Sequence, residues 1–390
     1  MDQICNELLE LIFLRSSPNT LKNLRVVCKQ WGSIIDDPIF IKNYERRPIN
    51  RPRLLLGFWA HDNRYEKRDL WSGAREDRQL HFCASTPMFL HPSNTAFFSP
   101  RGLHAPLEFA SRQPRDVQVS YYCVEGLISH GSKIQNPSLG WSVDIPRIDS
   151  EYGRVLGFDP INEQYKLLAL RRVGIGSNGG GYQVLTVGEA SDKWRIIESE
   201  STPEFPMTNS ICIDGFVYYI TLSYSTQTCS LVRFDVSKEK VDIFKMKDGP
   251  SADLVRDWDY PPSPNRFLVA PLLLDLKGKL SVVINNRMFC VWVLEDPTIQ
   301  SWSEFTFSLP RGLYYHARTA NVGASCVDKN TGEIILIAEG HGWYKHMVFV
   351  NLETNAVRST RIMDEFSLDN ESFAIRDYKE CLFGWRGRLN

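Results

Sequence analysis

Two hydrophobic periods divide this chain. Over the first forty-odd residues apolar side chains recur every three or four positions. Leu21, Leu24, Val27, Cys28, Trp31, Ile34 and Ile35 form one broad face on an α-helix, and Leu8, Leu9, Leu11 and Ile12 form a shorter stripe before it. Between the stripes, Ser16-Ser17-Pro18-Asn19-Thr20 interrupts the pattern, because Pro18 disfavours a continuing helix and Thr20 offers a side-chain oxygen as a cap. Asp36-Asp37-Pro38 ends the second stripe. A unit of about 40 residues lies below the size at which a domain usually stands without disulfide, metal or association. The stripes therefore need a partner surface, either on another protein or on the rest of this chain.

From Pro52 onward the period changes to alternation. Short apolar runs are separated by Gly, Pro, Asn and Asp, the pattern of β-structure. It predicts strands over residues 53–59, 117–122, 156–158, 165–170, 182–187, 216–220, 231–234, 241–244, 279–284, 288–294, 333–338 and 347–350, and no amphipathic helix of comparable strength. A loose repeat organises the later runs. Asp214-Gly215-Phe216-Val217-Tyr218-Tyr219 precedes Leu231-Val232-Arg233-Phe234-Asp235, and Lys277-Gly278-Lys279-Leu280 precedes Val291-Trp292-Val293-Leu294-Glu295-Asp296. Thr331-Gly332-Glu333-Ile334 likewise precedes Val348-Phe349-Val350-Asn351. Each unit reads as turn glycine, strand, gap, a strand ending in an acid or amide, then a further strand. Multi-strand repeats of about 40–50 residues indicate a propeller; the glycine spacings of 63 and 54 residues imply inserted loops. A stack of hairpins or a β-sandwich remains the alternative. The fold class is thus α+β: short N-terminal helices, then a large all-β, propeller-like domain.

Two segments also resemble known families. Ile4-Cys5-Asn6-Glu7-Leu8-Leu9, Leu21 to Trp31, and Pro38-Ile39-Phe40 resemble an F-box, most specifically over Arg25 to Trp31. Cys5 and Ser17 stand where that family usually carries prolines, and Pro18 follows one residue later. The resemblance implies three short helices over residues 1–47 that dock a Skp-type adaptor, and through it a cullin scaffold, with Ile4, Cys5, Leu8, Leu9, Ile12, Leu21, Leu24, Val27 and Trp31 at the interface. Residues 48–390 resemble the F-box-associated domain of the large plant F-box family. The resemblance rests on Leu156-Gly157-Phe158-Asp159-Pro160 with Tyr165-Lys166-Leu167-Leu168, Gln183 to Gly188 with Trp194-Arg195, Phe234 to Lys240, and Trp292 to Asp296. Such domains hold a protein destined for ubiquitination and are not known as enzymes. The implied function is that of a non-catalytic substrate receptor in an SCF-type ubiquitin ligase.

Composition adds little against this. A net charge of −1 and a pI near 6.7 give no global attraction to nucleic acid or membrane, although the first 53 residues carry nine Lys or Arg against six acids. The nine cysteines are scattered, without a Cys-x-x-Cys pair, which fits a reducing compartment. With no signal-peptide pattern and no apolar run of membrane length, the expected location is nucleus or cytoplasm.

Candidate chemistry is sparse, and no cofactor is expected. Gly174-Ile175-Gly176-Ser177-Asn178-Gly179 spells a dinucleotide-binding pattern, but a predicted strand, not a helix, follows it, so a hairpin loop is the simpler reading. His341 and His346, five residues apart on a strand, point to opposite faces and lack a third ligand nearby. Trp194, Trp292 and Tyr218 lie inside strand runs and suit packing. Aromatics beside loops, including Trp59 and Trp71, suit anchoring a partner. The target-binding candidates chosen from these loops are Trp258, Tyr260, Arg311, Tyr314, Tyr315, Trp343 and Tyr344. Two other readings stay open: a β-propeller enzyme or carbohydrate-binding protein with an added helical segment, and an F-box protein no longer assembled into a ligase.

Overall fold

The computed structural model describes residues 5–47, 53–61, 78–84, 109–110, 121–148, 151–171, 181–188, 193–199, 203–256, 271–308, 325–339, 345–361, 374–378 and 381–382, with short gaps inside several of these spans. Four helices come first, where three were expected: α1 (Asn6–Leu14), α2 (Pro18–Leu24), α3 (Lys29–Ile35) and α4 (Pro38–Arg46). The broad stripe from Leu21 to Ile35 is not one helix. α2 ends at Leu24, and Cys28 is extended, with φ −156° and ψ 163°, at the start of α3. Arg25 holds the turn by pairing with Asp36 at 2.8 Å. The apolar spacing continues across the break, which is why periodicity alone missed it.

The cap of α2 explains the displaced Pro18. Ser17, not Thr20, caps α2 by accepting the Thr20 N–H at 3.1 Å, with Pro18 in the first turn where its missing N–H costs nothing. Asp37 caps α4 in the same way, accepting the Ile39 N–H at 2.7 Å ahead of Pro38. Asp36-Asp37-Pro38 therefore ends one helix and starts the next.

The β-domain contains six four-stranded antiparallel sheets. The first holds β1 (Arg53–His61), β2 (Arg78–Ala84) and β3 (Phe109–Ala110). The second holds β4 (Tyr121–Val124), β5 (Leu127–His130), β6 (Lys133–Asn136) and β7 (Trp141–Asp144), and the third β8 (Glu151–Asp159), β9 (Gln164–Arg171), β10 (Gly181–Thr186) and β11 (Arg195–Ile197). The fourth runs β12 (Ile211–Ile213), β13 (Phe216–Ser223), β14 (Thr228–Asp235) and β15 (Lys240–Lys245). After the short α5 (Ser251–Arg256) comes the fifth, β16 (Leu272–Leu276), β17 (Lys279–Asn286), β18 (Met288–Asp296) and β19 (Ser301–Phe307). The sixth is β20 (Ser325–Val327), β21 (Ile334–Glu339), β22 (Lys345–Asn351) and β23 (Ala356–Arg361). The strand β24 (Ala374–Tyr378) then returns to pair with β1 and completes the first sheet. The leading strands β4, β8, β12, β16, β20 and β24 touch one another in a closed ring. This is a β-propeller whose ring is closed by strands from both ends of the β-domain.

Each expected strand overlaps an observed one, and the repeat corresponds to the last three strands of the fourth, fifth and sixth sheets. Trp59 lies within β1, opposite Leu80, and not in a loop. The core lies between neighbouring sheets. Val155, Leu168, Leu170, Tyr182 and Val184 of the third sheet pack on Val217, Tyr219, Val232 and Phe234 of the fourth. Because both faces of a middle strand are covered, β9 is buried from Tyr165 through Leu170 and reads as a continuous apolar run. Gly157 sits where these sheets approach: a Cβ there would lie 2.6 Å from one Val236 methyl and 2.7 Å from a Val217 methyl. Gly157→Ala is expected to destabilise the domain by about 1–3 kcal/mol, read as a lower urea midpoint with the slope unchanged.

Tight turns gather at one end of the ring. Asp159, Asp235, Asp296 and Asn351 each end a strand and accept backbone N–H bonds from two or three residues on. Four residues after each comes a left-handed residue: Glu163, Glu239, Gln300 and Asn355, with φ of 52° to 55°. The turn glycines Gly215, Gly278 and Gly332 belong to the same end, with φ of 82°, 83° and 72°. Neighbouring sheets are tied there. The Tyr165 hydroxyl donates to Glu125 O at 2.6 Å, and Lys277 pairs with Glu353. Lys166, nearly buried, donates to Val236 O at 2.9 Å and pairs with Glu239 at 3.0 Å.

Burial pushes the Glu239 carboxyl up, but hydrogen bonds and charge from Lys166 and Arg195 outweigh it and hold the group below the usual carboxylate range. Its stabilising contribution is complete above the ordinary carboxyl pKa and is lost as pH falls through the depressed folded value. Glu239→Gln is expected to cost about 1–3 kcal/mol at neutral pH and to flatten the acid side of a stability–pH curve measured by urea unfolding.

Candidate protein-docking faces

α1 has two apolar sides. At about 100° per residue, Leu9 and Phe13 fall on one side and Leu8, Leu11 and Ile12 on the other. Leu9 and Phe13 are buried with Leu21, Ile35, Phe40 and Tyr44 of the other helices. The opposite side is uncovered: Leu8 is 54% exposed, Leu11 53% and Ile12 51%. Val26 and Val27, in the turn between α2 and α3, are 81% and 59% exposed, and Ile39 on α4 is 69% exposed. Gln30 donates to Asn6 Oδ1 at 2.8 Å, which sets the first turn of α1 beside the start of α3. Large aliphatic residues exposed on a small helical unit make a candidate protein-docking surface.

The interface residues expected from the sequence divide accordingly. Cys5, Leu8, Ile12 and Val27 are exposed. Leu24 and Trp31 are half-buried and packed against the helical core. Leu9 and Leu21 are corrections: at 4% and 0% exposure they are core residues, since each faces the other helices. Ile4 lies outside the described residues. Leu11, Val26 and Ile39, not among those expected, are exposed on the same helical unit. Val27 belonged to the apolar spacing, which was read as one helix where the chain turns; Val26, outside that spacing, is exposed because it lies in the turn.

The helical unit packs on the tight-turn end of the propeller. Leu139, in the turn between β6 and β7, and Leu382, beyond β24, are buried in its core, with Trp141 partly so. Glu45 Oε1 accepts the Leu382 N–H at 3.0 Å, and Lys42 reaches Glu163 at 2.9 Å. Antiparallel strands therefore send other connections out at the far end: those after β1, β5, β9, β13, β17 and β21, and those from each sheet to the next. Trp258 and Tyr260 fall between β15 and β16, Arg311, Tyr314 and Tyr315 between β19 and β20, and Trp343 and Tyr344 between β21 and β22. These seven target-binding candidates lie outside the described residues. The strand ends flanking them all belong to the end remote from the helices.

Motifs with possible chemistry recede. Arg171 and Gly181 face each other across β9 and β10, so the glycine-rich segment joins two strands and no helix follows it. His341 lies outside the described residues, and His346 sits within β22 opposite Ala338. Among the described residues, the grouping with metal-ligand atoms closest together is Asp253, Cys290 and Glu304, all within 4.8 Å. Burial, then the charges of Glu304 and Asp253, raise the Cys290 thiol above its ordinary value. No described helix is long and apolar enough to cross a membrane.

Comparison with known proteins agrees with both halves of the sequence reading. Residues 1–43 match the F-box domain family, and residues 70–382 match the F-box associated beta propeller domain. F-box protein At1g47810 of Arabidopsis thaliana is 30% identical over 342 residues, covering 80% of this chain and 90% of its own length. F-box protein At4g11590 of the same plant is 28% identical, covering 95% of this chain and 88% of its own. Among solved structures, TolB from Acinetobacter baumannii matches with a TM-score of 0.47 and 11% identity over 87% of this chain and 70% of its own, too loose a likeness to bear on function.

Proposed function

Since this chain belongs to the F-box proteins that carry an F-box associated β-propeller, we propose that it is the substrate-recognition subunit of an SCF-type cullin-RING ubiquitin ligase. The observation that carries this reading is the uncovered face of Leu8, Leu11, Ile12, Val26 and Val27 on helices whose opposite side is already packed. That face docks a Skp-type adaptor, which joins the chain to a cullin. The local excess of Lys and Arg in the first 53 residues suits an acidic partner. Catalysis then works by proximity: the receptor holds a protein target within reach of the conjugating enzyme, and no side chain here does bond chemistry.

The end of the propeller remote from the helices is the target-binding end in this reading. Its support is topological: the tight-turn end is occupied by the helical unit, and the connections after β1, β15 and β19 leave the other end. Co-purification of the tagged chain from plant extract tests the assignment. Adaptor and cullin recovered together support it; recovery of neither sinks it.

A further inference from the structure

We propose that closure of the propeller ring is coupled to the integrity of the partner-docking helices through Cys381 and Leu382, so that a chain whose ring is open cannot recruit the adaptor. The adaptor half of this statement rests on the function proposed above. The structural half stands on its own contacts.

The helical unit does not own its core. Of the eight buried residues in that cluster, Leu9, Phe13, Leu21, Ile35, Phe40 and Tyr44 come from the helices, and Leu139 and Leu382 come from the β-domain. Leu382 is 1% exposed. It follows closely on β24, the ring-closing strand, which ends at Tyr378. Cys381 is gripped by the second sheet: its carbonyl accepts from Asn136 Nδ2 at 3.2 Å, and its N–H donates to Ser138 Oγ at 3.3 Å. Asn136 is fully buried, and its Oδ1 also accepts the Ser138 N–H at 2.9 Å, shaping the turn that delivers Leu139. One side chain thus aligns both β-domain contributions to the helical core.

From there the link runs through α4. Glu45 holds the Leu382 N–H, and Tyr44 beside it is buried, with its hydroxyl donating to Ser16 O at 2.8 Å at the end of α1. Phe40 and Phe13 meet edge to face at 6.5 Å, joining α4 to α1. Phe13 and Leu9 are the inward side of the helix whose outward side is Leu8, Leu11 and Ile12. If β24 leaves β1, the segment that carries Leu382 loses its anchor on the first sheet and is left to the hold of Asn136, Ser138 and Glu45; once Leu382 withdraws, α4 and α1 lose a shared packing partner and the outward face loses its support.

The test uses full-length chain and hydrogen exchange, which needs no adaptor. In Leu382→Ser, amides of α1 to α4 are expected to exchange at least about tenfold faster, while those of β12 to β19 keep wild-type protection. Leu382→Met is expected to restore protection. Ile375→Pro together with Arg376→Pro, which between them remove an amide from the β24 ladder with β1 whichever of the two faces it, is expected to deprotect the same helices. Unchanged exchange in α1 to α4 of Leu382→Ser, or equal loss through every sheet, overturns the coupling. Adaptor titration is the second arm, with affinity expected to fall at least about tenfold in Leu382→Ser. A wild-type chain that fails to bind adaptor refutes the adaptor reading instead, and the exchange result still decides the coupling.

Discussion

Replacing Leu8 and Val27 together with Asp is expected to abolish binding of a Skp-type adaptor, lowering affinity by more than about a hundredfold, while the chain stays folded. Both side chains are more than half exposed in the free protein, so a carboxylate at either site keeps its water and costs little stability. In a complex the same carboxylates would be buried against an apolar partner without a counter-charge, at a cost of several kcal/mol each. Calorimetric titration measures the affinity, and far-ultraviolet circular dichroism with a thermal scan checks the fold. Binding at wild-type strength would remove the α1 face and the α2–α3 turn from the interface.

The inward side of the same helix should fail differently. Phe13, 1% exposed, packs edge-on against Trp31 at 5.5 Å and Phe40 at 6.5 Å. Phe13→Ala removes that ring from a small core and is expected to cost about 3–5 kcal/mol. A helical unit of this size has little stability to spare, so α1 to α4 should lose hydrogen-exchange protection while the middle strands of the propeller keep theirs. Adaptor binding would fall too, but as a consequence of unfolding. The two variants separate contact from support: the Asp pair loses binding with protection intact, and Phe13→Ala loses both.

Much of this architecture was legible in the sequence, and the failures have physical causes. The middle strands were legible because neighbouring sheets cover both faces, leaving apolar runs such as Leu167 to Leu170. The repeat was legible because each hairpin needs an acid or amide to accept turn N–H groups and a residue that tolerates a left-handed backbone. The leading strands β12 and β20, three residues each, were missed because so short a run carries no period. Pairing of β24 with β1 is a contact across the whole β-domain, which local pattern does not encode.

At the docking face the sequence identified the right segment and mixed its two sides. Leu8 and Leu9 are adjacent in the same stripe, yet one faces out and the other is core. Helical period alone says which residues share a side. Deciding which side faces solvent required the positions of α3, α4, Leu139 and Leu382. The dependence of the helical core on the latter two residues, far along the chain from every helix of the unit, had no local signal at all.

Hydrogen exchange of the full-length chain with and without purified Skp-type adaptor tests the central claim most directly. The account predicts new protection confined to the amides around Leu8 to Ile12 and Val26 to Val27, with the sheets unchanged. Protection appearing in the propeller and absent from those helical segments would contradict it.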